Sequence, residues 1–109
     1  MLFINVEEFF NVAKDARRLT REEEKLYATK MMEGDTEARE ILIYSYFYFV
    51  AAYIKRYAPK IQTLNSVYQF LDTLEKAVDQ FDFLQDNYTF INHLSKLFRQ
   101  CITRCLVCD

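Results

Sequence analysis

Apolar residues recur every three or four positions along most of this 109-residue chain, a spacing that places them on one face of an α-helix. Short polar stretches interrupt the pattern, and residues that favour helix ends stand beside the interruptions. The sequence has no Val/Thr-rich runs in which apolar and polar residues alternate, as strands would require. The pattern predicts an all-α fold, a compact bundle of about five helices in a single domain that spans residues 1–109.

The first helix is predicted to begin after Asn5. Asn5 and Glu8 have the spacing of a capping box, in which each side chain bonds the backbone N–H of the other residue. Phe9, Val12 and Ala16 follow at helical spacing, so we expect them to make the apolar contacts of this short helix.

The next two helices are also marked by their ends. Thr20 with Glu23 predicts a second capping box, and Gly34 provides a C-terminal stop because glycine readily adopts the left-handed conformation that ends many helices. Asp35 then caps a helix that is predicted to run without interruption to about Tyr57. A proline follows at position 59, and the residue before a proline avoids helical angles.

A fourth helix is predicted from about Leu64 to Gln80. Its buried stripe consists of Leu64, Val67, Leu71, Leu74 and Val78. A loop over residues 82–89 leads into the last helix.

The last helix has two unlike faces. At helical spacing, Leu94, Phe98, Cys101 and Cys105 form an apolar stripe. Lys96, Arg99, Gln100 and Thr103 fall on another face. From Asn87 to Cys108 there are three cations and no acid, so this second face is suited to phosphates and to the edges of bases.

The middle of the chain is unusually aromatic. Residues 41–54 contain one polar residue, Ser45, and this stretch is too short to cross a bilayer. Two interpretations remain open for the tyrosines that it carries, Tyr44, Tyr46 and Tyr48. They form a surface that binds a protein partner or a second copy of the chain, or the N-terminal helix folds back and covers them.

The three cysteines, Cys101, Cys105 and Cys108, are spaced on one face of the last helix, two turns after the only histidine, His93. A thiolate metal site is conceivable. Such sites usually draw ligands from separate elements in short paired spacings, so a row of small apolar residues facing the core is the preferred interpretation. We expect no metal and no cofactor.

Composition and charge limit the possible functions. One glycine, one proline and 51% hydrophobic residues agree with helices throughout. One histidine, no phosphate-binding glycine loop and no paired catalytic carboxylates argue against an enzyme. Residues 1–54 carry a net charge of −3 and residues 55–109 a net charge of +1. Such a protein does not bind DNA tightly through charge alone, so DNA contact would depend on a partner.

No secretory signal is visible at the start of the chain, because Glu7 and Glu8 interrupt the apolar residues there. We therefore expect a cytoplasmic protein with no membrane association.

Two short motifs stand in the last part of the chain, Tyr88-Thr89-Phe90 and Arg99-Gln100-Cys101-Ile102-Thr103-Arg104. They resemble the promoter-reading helix of the bacterial sigma-70 family of transcription initiation factors, which carries Arg-Gln-x-Ile-Thr-Arg behind a Tyr-x-Phe start. Residues 19–39, 42–57 and 76–82 resemble the preceding segments of the family's minus-ten recognition domain, sigma region 2, in the same order. The resemblance covers residues 19–106 and leaves the N-terminal helix outside it.

The resemblance implies how such a domain would work. In the family, the helix corresponding to Leu64–Gln80 grips a coiled coil on the largest catalytic subunit of core RNA polymerase, and the last helix recognises and opens the minus-ten promoter element. By position, Gln100 and Thr103 would contact bases, Arg99 and Arg104 would contact phosphates, and Lys96 would lie beside them. Tyr88 and His93 stand where the family has the aromatic residues that hold a flipped adenine.

Two departures from the family pattern affect these roles. The tryptophan pair that wedges the duplex open is replaced by Lys96 and Leu97. In the polymerase-binding helix, two acidic positions are neutral and a glycine is replaced by Phe70, which we expect to act as an aromatic anchor. The residues predicted to contact polymerase or another partner are Asn65, Tyr68, Gln69, Phe70, Tyr44, Tyr46 and Tyr48.

Three hypotheses for the function follow. The first is a sigma-like initiation factor, either an excised domain or a small protein that needs a second, sigma-like polypeptide for upstream recognition. The second is a regulator of the same fold that binds polymerase or another sigma factor without melting DNA. The third is a helical adaptor or homodimer outside transcription. We favour the first, with promoter DNA and core polymerase as partners.

Overall fold

The computed structural model describes residues 3–57 and 63–108, and of 104–108 only the backbone. These residues form six helices and no strand, which confirms the predicted all-α class. Pro59, predicted to follow the end of the third predicted helix, lies outside the described residues. The helices are α1 (Val6–Lys14), α2 (Arg21–Met32), α3 (Thr36–Ser45), α4 (Phe47–Tyr57), α5 (Leu64–Gln80) and α6 (Phe90–Cys108).

Side-chain caps set the starts of the first two helices, as predicted. Asn5 Oδ1 accepts a hydrogen bond of 2.8 Å from the backbone N–H of Glu8. The Glu8 carboxylate accepts from Ile4 N rather than from Asn5 N, so the reciprocal bond is displaced by one residue. At α2 both bonds of the capping box are present. Glu23 N donates to Thr20 Oγ1 at 3.1 Å, and Thr20 N donates to the Glu23 carboxylate at 3.0 Å.

Replacing Thr20 with alanine is expected to lower the free energy of unfolding by about 1 kcal/mol, because it leaves an N–H of the first turn of α2 without its cap. Urea denaturation measures the change. Thr29→Ala is a matched control, since Thr29 lies within the same helix and bonds only the carbonyl of Lys25. Equal losses in the two variants would contradict a role of the cap in stability.

The turn between α2 and α3 also forms as predicted. Gly34 has a φ of 96°, a conformation that other residues rarely adopt. Asp35 then caps α3 by accepting a bond of 3.1 Å from Ala38 N.

The predicted uninterrupted helix from Asp35 to Tyr57 is broken at Tyr46, and this part of the prediction was wrong. The Ser45 hydroxyl donates to the carbonyl of Leu42 at 2.7 Å, and Tyr46 N donates to Ile43 O at 3.1 Å. Serine side chains that bond a carbonyl of the preceding turn compete with the helical pattern and bend helices. The bend lets α3 pack mainly on α2 while α4 packs on α1.

The core lies where α4, α5 and α6 meet. Phe70 of α5 and Phe98 of α6 are fully buried, and their rings meet edge to face with centroids 5.0 Å apart. The predicted stripes of the two helices face this region. Leu64 and Leu71 are partly buried at its margin, and the fully buried members are Val67, Leu74, Val78, Leu94 and Cys101. The side chains of Cys105 and Cys108 lie outside those described.

The N-terminal helix folds back over part of the aromatic middle of the chain, so that this one of the two interpretations is confirmed for Tyr44. Phe9 of α1 is fully buried and its ring centroid lies 5.7 Å from that of Phe47. The Tyr44 hydroxyl donates to Val12 O at 3.2 Å. The Phe3 backbone N–H donates to the hydroxyl of Tyr68 at 2.8 Å, so the segment before α1 also contacts α5.

Two ion-pair groups join separate parts of the surface. Arg39 of α3 binds Asp79 of α5 through two bonds of 2.7 and 2.9 Å, and this contact lowers the pKa of the Asp79 carboxyl. Lys25 and Arg21 of α2 both bind Asp86, at 2.9 and 3.3 Å, which attaches the loop before α6 to α2. In residues 3–57 and 63–108, no helix has the length and apolar character that crossing a membrane requires.

Candidate nucleic-acid and protein interfaces

The two predicted faces of α6 are present in the structure. Leu94, Phe98 and Cys101 are fully buried, and the Phe98 ring contacts α4 and α5. The polar residues Lys96, Arg99, Gln100 and Thr103 are exposed to solvent on the other side. Four side chains able to contact phosphates or base edges therefore share one solvent face. The side chain of Arg104, predicted to contact phosphate with them, lies outside those described.

Lysines and arginines that form ion pairs lie on different parts of the surface from most of those that do not. Of the twelve lysines and arginines whose side chains are described, five form ion pairs with carboxylates and seven do not. Six of these seven, all except Lys30, lie on α1, α4 or α6 or just after α1. We call these six the basic surface: Lys14, Arg18, Lys55, Arg56, Lys96 and Arg99.

The absence of acidic residues from two helices explains why the cations on α4 and α6 have no carboxylate partner on their own helix. Neither α4 nor α6 contains an aspartate or a glutamate, and the whole stretch of residues 41–71 has none. Carboxylates therefore cannot neutralise the α4 and α6 parts of this surface from their own helices, whereas α1 carries Glu7 and Glu8. The predicted list of DNA-contacting residues missed Lys14, Arg18, Lys55 and Arg56. The acid-free stretch of sequence was the signal that could have identified Lys55 and Arg56.

Three adjoining grooves follow the basic surface. A groove of 740 Å³ between α4 and α6 is lined by Arg56, Arg99 and Tyr57 among others. It meets a groove of 410 Å³ between α1 and α4, which contains Lys14 and Lys55, because both grooves are lined by Ala52. The third, of 450 Å³, shares Tyr48 with the second groove and is lined by Arg18 and Tyr88, and also by the acidic residues Glu24 and Asp86.

Aromatic rings hold several of these cations in place. The Lys55 ammonium lies 4.6 Å from the centroid of the Phe10 ring, and the Arg18 guanidinium lies 4.2 Å from that of Tyr48. Contacts of this kind fix a cation without neutralising its charge. Burial raises the pKa of the hydroxyl on the Tyr48 ring that lies beneath Arg18. The surface thus combines fixed positive charge with aromatic faces, which suits a nucleic-acid strand.

Tyr88 and His93, predicted to hold a flipped base, have their polar ends turned inward. The Tyr88 hydroxyl and His93 Nε2 are buried and make no hydrogen bond within the described residues. The His93 ring lies 5.3 Å from that of Phe81, and the Lys96 ammonium lies 5.0 Å from the Tyr88 ring. A base that stacked on Tyr88 on the side facing Lys96 would have to displace that ammonium group.

The structure corrects part of the predicted protein interface. Phe70, expected to be an exposed anchor, is fully buried, because α5 turns Phe70, Leu74 and Ala77 to the same apolar face as Val67. Tyr46 is 7% exposed and its ring packs 4.7 Å from that of Phe90, so it is also part of the core.

The other predicted contact residues remain at or near the surface. Asn65 is exposed, and Tyr68, Gln69, Tyr44 and Tyr48 are half-buried. Asn65, Tyr68 and Gln69 lie on α5, where the resemblance implies the polymerase contact. Their role in binding stays a prediction.

No protein-family model matches the chain.

Proposed function

We propose that this chain is a sigma-like transcription initiation factor domain that binds core RNA polymerase and the minus-ten promoter element. The observation that carries the proposal is the basic surface, which continues into the exposed face of α6 where Gln100 and Thr103 stand beside Arg99. Cations position a nucleic-acid backbone, and amide and hydroxyl groups read base edges. The order of the sequence segments that resemble the sigma-70 family supports the same assignment.

Polymerase would bind the exposed side of α5, at Asn65, Tyr68 and Gln69. The burial of Phe70 removes the proposed aromatic anchor from this contact and leaves a smaller, more polar one. The net charge of the chain is −2, so the basic surface is offset by acidic residues elsewhere. We expect DNA binding to be weak for the isolated chain and to depend on polymerase or a second sigma-like subunit.

A second candidate is a regulator of the same fold that binds polymerase or another sigma factor without melting DNA. Its support comes from the two positions where the family has its tryptophan wedge. Leu97 packs against the core, and the Lys96 ammonium lies over the Tyr88 ring. Neither residue supplies an exposed aromatic wedge, which would help to offset the cost of unstacking a base step.

Co-purification of the chain with core RNA polymerase, followed by binding of the complex to a pre-opened minus-ten fragment, separates the candidates. Binding in both steps is the expected result. Binding to polymerase without DNA binding would favour the regulator. No polymerase binding would contradict the first candidate and the polymerase-binding form of the second.

Two substitutions in the polymerase complex test the assignment of the α6 face. Gln100→Ala is expected to reduce the preference for the minus-ten sequence, whereas Arg99→Ala is expected to weaken binding to all sequences and to reduce its salt dependence. Fluorescence anisotropy with matched and scrambled fragments over a salt series measures both effects. Lys30→Ala is the control for Arg99→Ala, because Lys30 is also without an ion pair but lies on α2. If Gln100→Ala and Arg99→Ala both behaved like this control, the α6 face would be wrongly assigned.

A further inference from the structure

A groove of 680 Å³ between α2, α3 and α5 lies apart from the basic surface and shares only Tyr44 with the predicted partner contacts. Its apolar lining includes Tyr27 of α2 and Ile41, Ile43 and Tyr44 of α3. The Tyr44 hydroxyl is bonded to Val12 O, so this ring has its polar end satisfied elsewhere and offers an apolar face. Ile41 and Tyr27 are only partly buried. The chain therefore leaves an apolar strip of α3 incompletely covered.

The rim of this groove is acidic. Glu37, Glu40 and Glu75 line it and are exposed, and none of them forms an ion pair with a described residue. The two arginines at the rim are already engaged. Arg17 binds Glu23 at 2.8 Å, and Arg39 binds Asp79 through two bonds. Three carboxylates thus remain outside ion pairs around an apolar floor, and Arg39 reaches two of them, Glu40 and Glu75, only through longer-range attraction.

We infer that this groove, here called the acidic groove, binds a basic amphipathic helix of a partner protein. Such a helix would place its apolar side chains on Ile41, Ile43 and Tyr44 and its lysines or arginines beside the three carboxylates. Helices that dock in grooves use apolar residues at positions i, i+3, i+4 and i+7, and charged residues at the rim set orientation and specificity. The inference does not depend on the proposed function, because none of the rim carboxylates belongs to the predicted polymerase or DNA contacts.

The choice of a basic helix follows from charge complementarity. A nucleic-acid strand would be repelled by the three carboxylates. An acidic helix would be repelled in the same way, and an uncharged apolar ligand would leave the rim unused. A second copy of the chain could present its basic surface, but that surface consists of separated cations and rings rather than a continuous apolar helix face.

Two synthetic 18-residue helices serve as probes, one with leucines at helical spacing and lysines elsewhere, the other with glutamates in place of the lysines. Fluorescence anisotropy measures their affinity for the intact chain. We expect the lysine peptide to bind and the glutamate peptide not to bind. The triple variant E37Q/E40Q/E75Q is expected to weaken binding of the lysine peptide by about tenfold and to reduce its salt dependence.

The control variant E7Q/E22Q/E33Q changes the net charge equally at exposed positions outside the groove, and its affinity should stay within about twofold of the original chain. Ile41→Asn tests the apolar floor and should also weaken binding. Equal affinities in the two triple variants, or binding of the glutamate peptide, would overturn the inference. Self-association that is lost in E37Q/E40Q/E75Q would assign the groove to a second copy and overturn the inferred partner.

Discussion

Replacing Phe70 with alanine is expected to lower the free energy of unfolding by about 3–5 kcal/mol, because it leaves a cavity where the ring now meets Phe98 and Tyr53. Urea denaturation followed by circular dichroism measures the loss. Tyr57→Ala is a control of similar size, since Tyr57 is 53% exposed at the end of α4 and should cost much less. The comparison tests whether Phe70 belongs to the core or to a binding surface.

Phe70→Leu extends this test to function. Leucine keeps most of the buried apolar volume, so this variant should remain folded. If Phe70 acts only in the core, the folded variant binds polymerase as well as the original chain does. A stable Phe70→Ala protein that no longer bound polymerase would contradict the structure and restore the predicted aromatic anchor.

Reversing two charges of the basic surface, Lys55→Glu with Arg56→Glu, is expected to weaken nucleic-acid binding of the polymerase complex by roughly 100-fold at low salt. Both cations line the grooves beside α4, where no carboxylate neutralises them. The loss should shrink as salt is added, because salt screens exposed charges. Anisotropy with a pre-opened fragment measures the affinity.

Lys30→Glu with Lys76→Glu is the matched control, because it changes the net charge by the same amount on α2 and α5. This control should lose only a small part of the affinity. Equal losses in the two double variants would mean that overall charge, rather than the basic surface, governs binding. No loss in either would contradict a nucleic-acid strand along α4.

Local sequence signals were sufficient for most of the helix boundaries. Thr20, Asp35 and Gly34 act through bonds and backbone angles within a few residues of themselves, so their roles follow from spacing alone. The bounds of α5 also agree with the prediction. The helix begins after its cap, Thr63, and ends before Phe81.

The break at Tyr46 could not be predicted in this way. Residues 35–57 have a continuous helical pattern, and the interruption comes from a single serine bond together with packing on two different neighbours. The burial of Phe70 likewise depends on which side of α5 meets α6. Periodicity identified the buried stripe of α5 but left Phe70 out of it, because α5 is covered on more than one side.

The part of the candidate site that lies on a single helix was predictable, whereas the part that several helices form together was not. The exposed face of α6 follows from helical spacing within residues 96–103. The basic surface joins residues that are up to 85 positions apart, from Lys14 to Arg99. The sequence alone does not show that these helices are neighbours, so the contribution of α1 was missed.

The fold-back of α1 affects how the protein opens locally and aggregates. Its contacts with Tyr44 and Phe47 are long-range in sequence, and α1 has only nine residues to hold them. Short terminal helices usually detach at a lower free-energy cost than that of global unfolding. Detachment of α1 alone would expose the aromatic segment to water. The ease of this local opening, more than the overall stability of the bundle, would then determine how readily the chain aggregates.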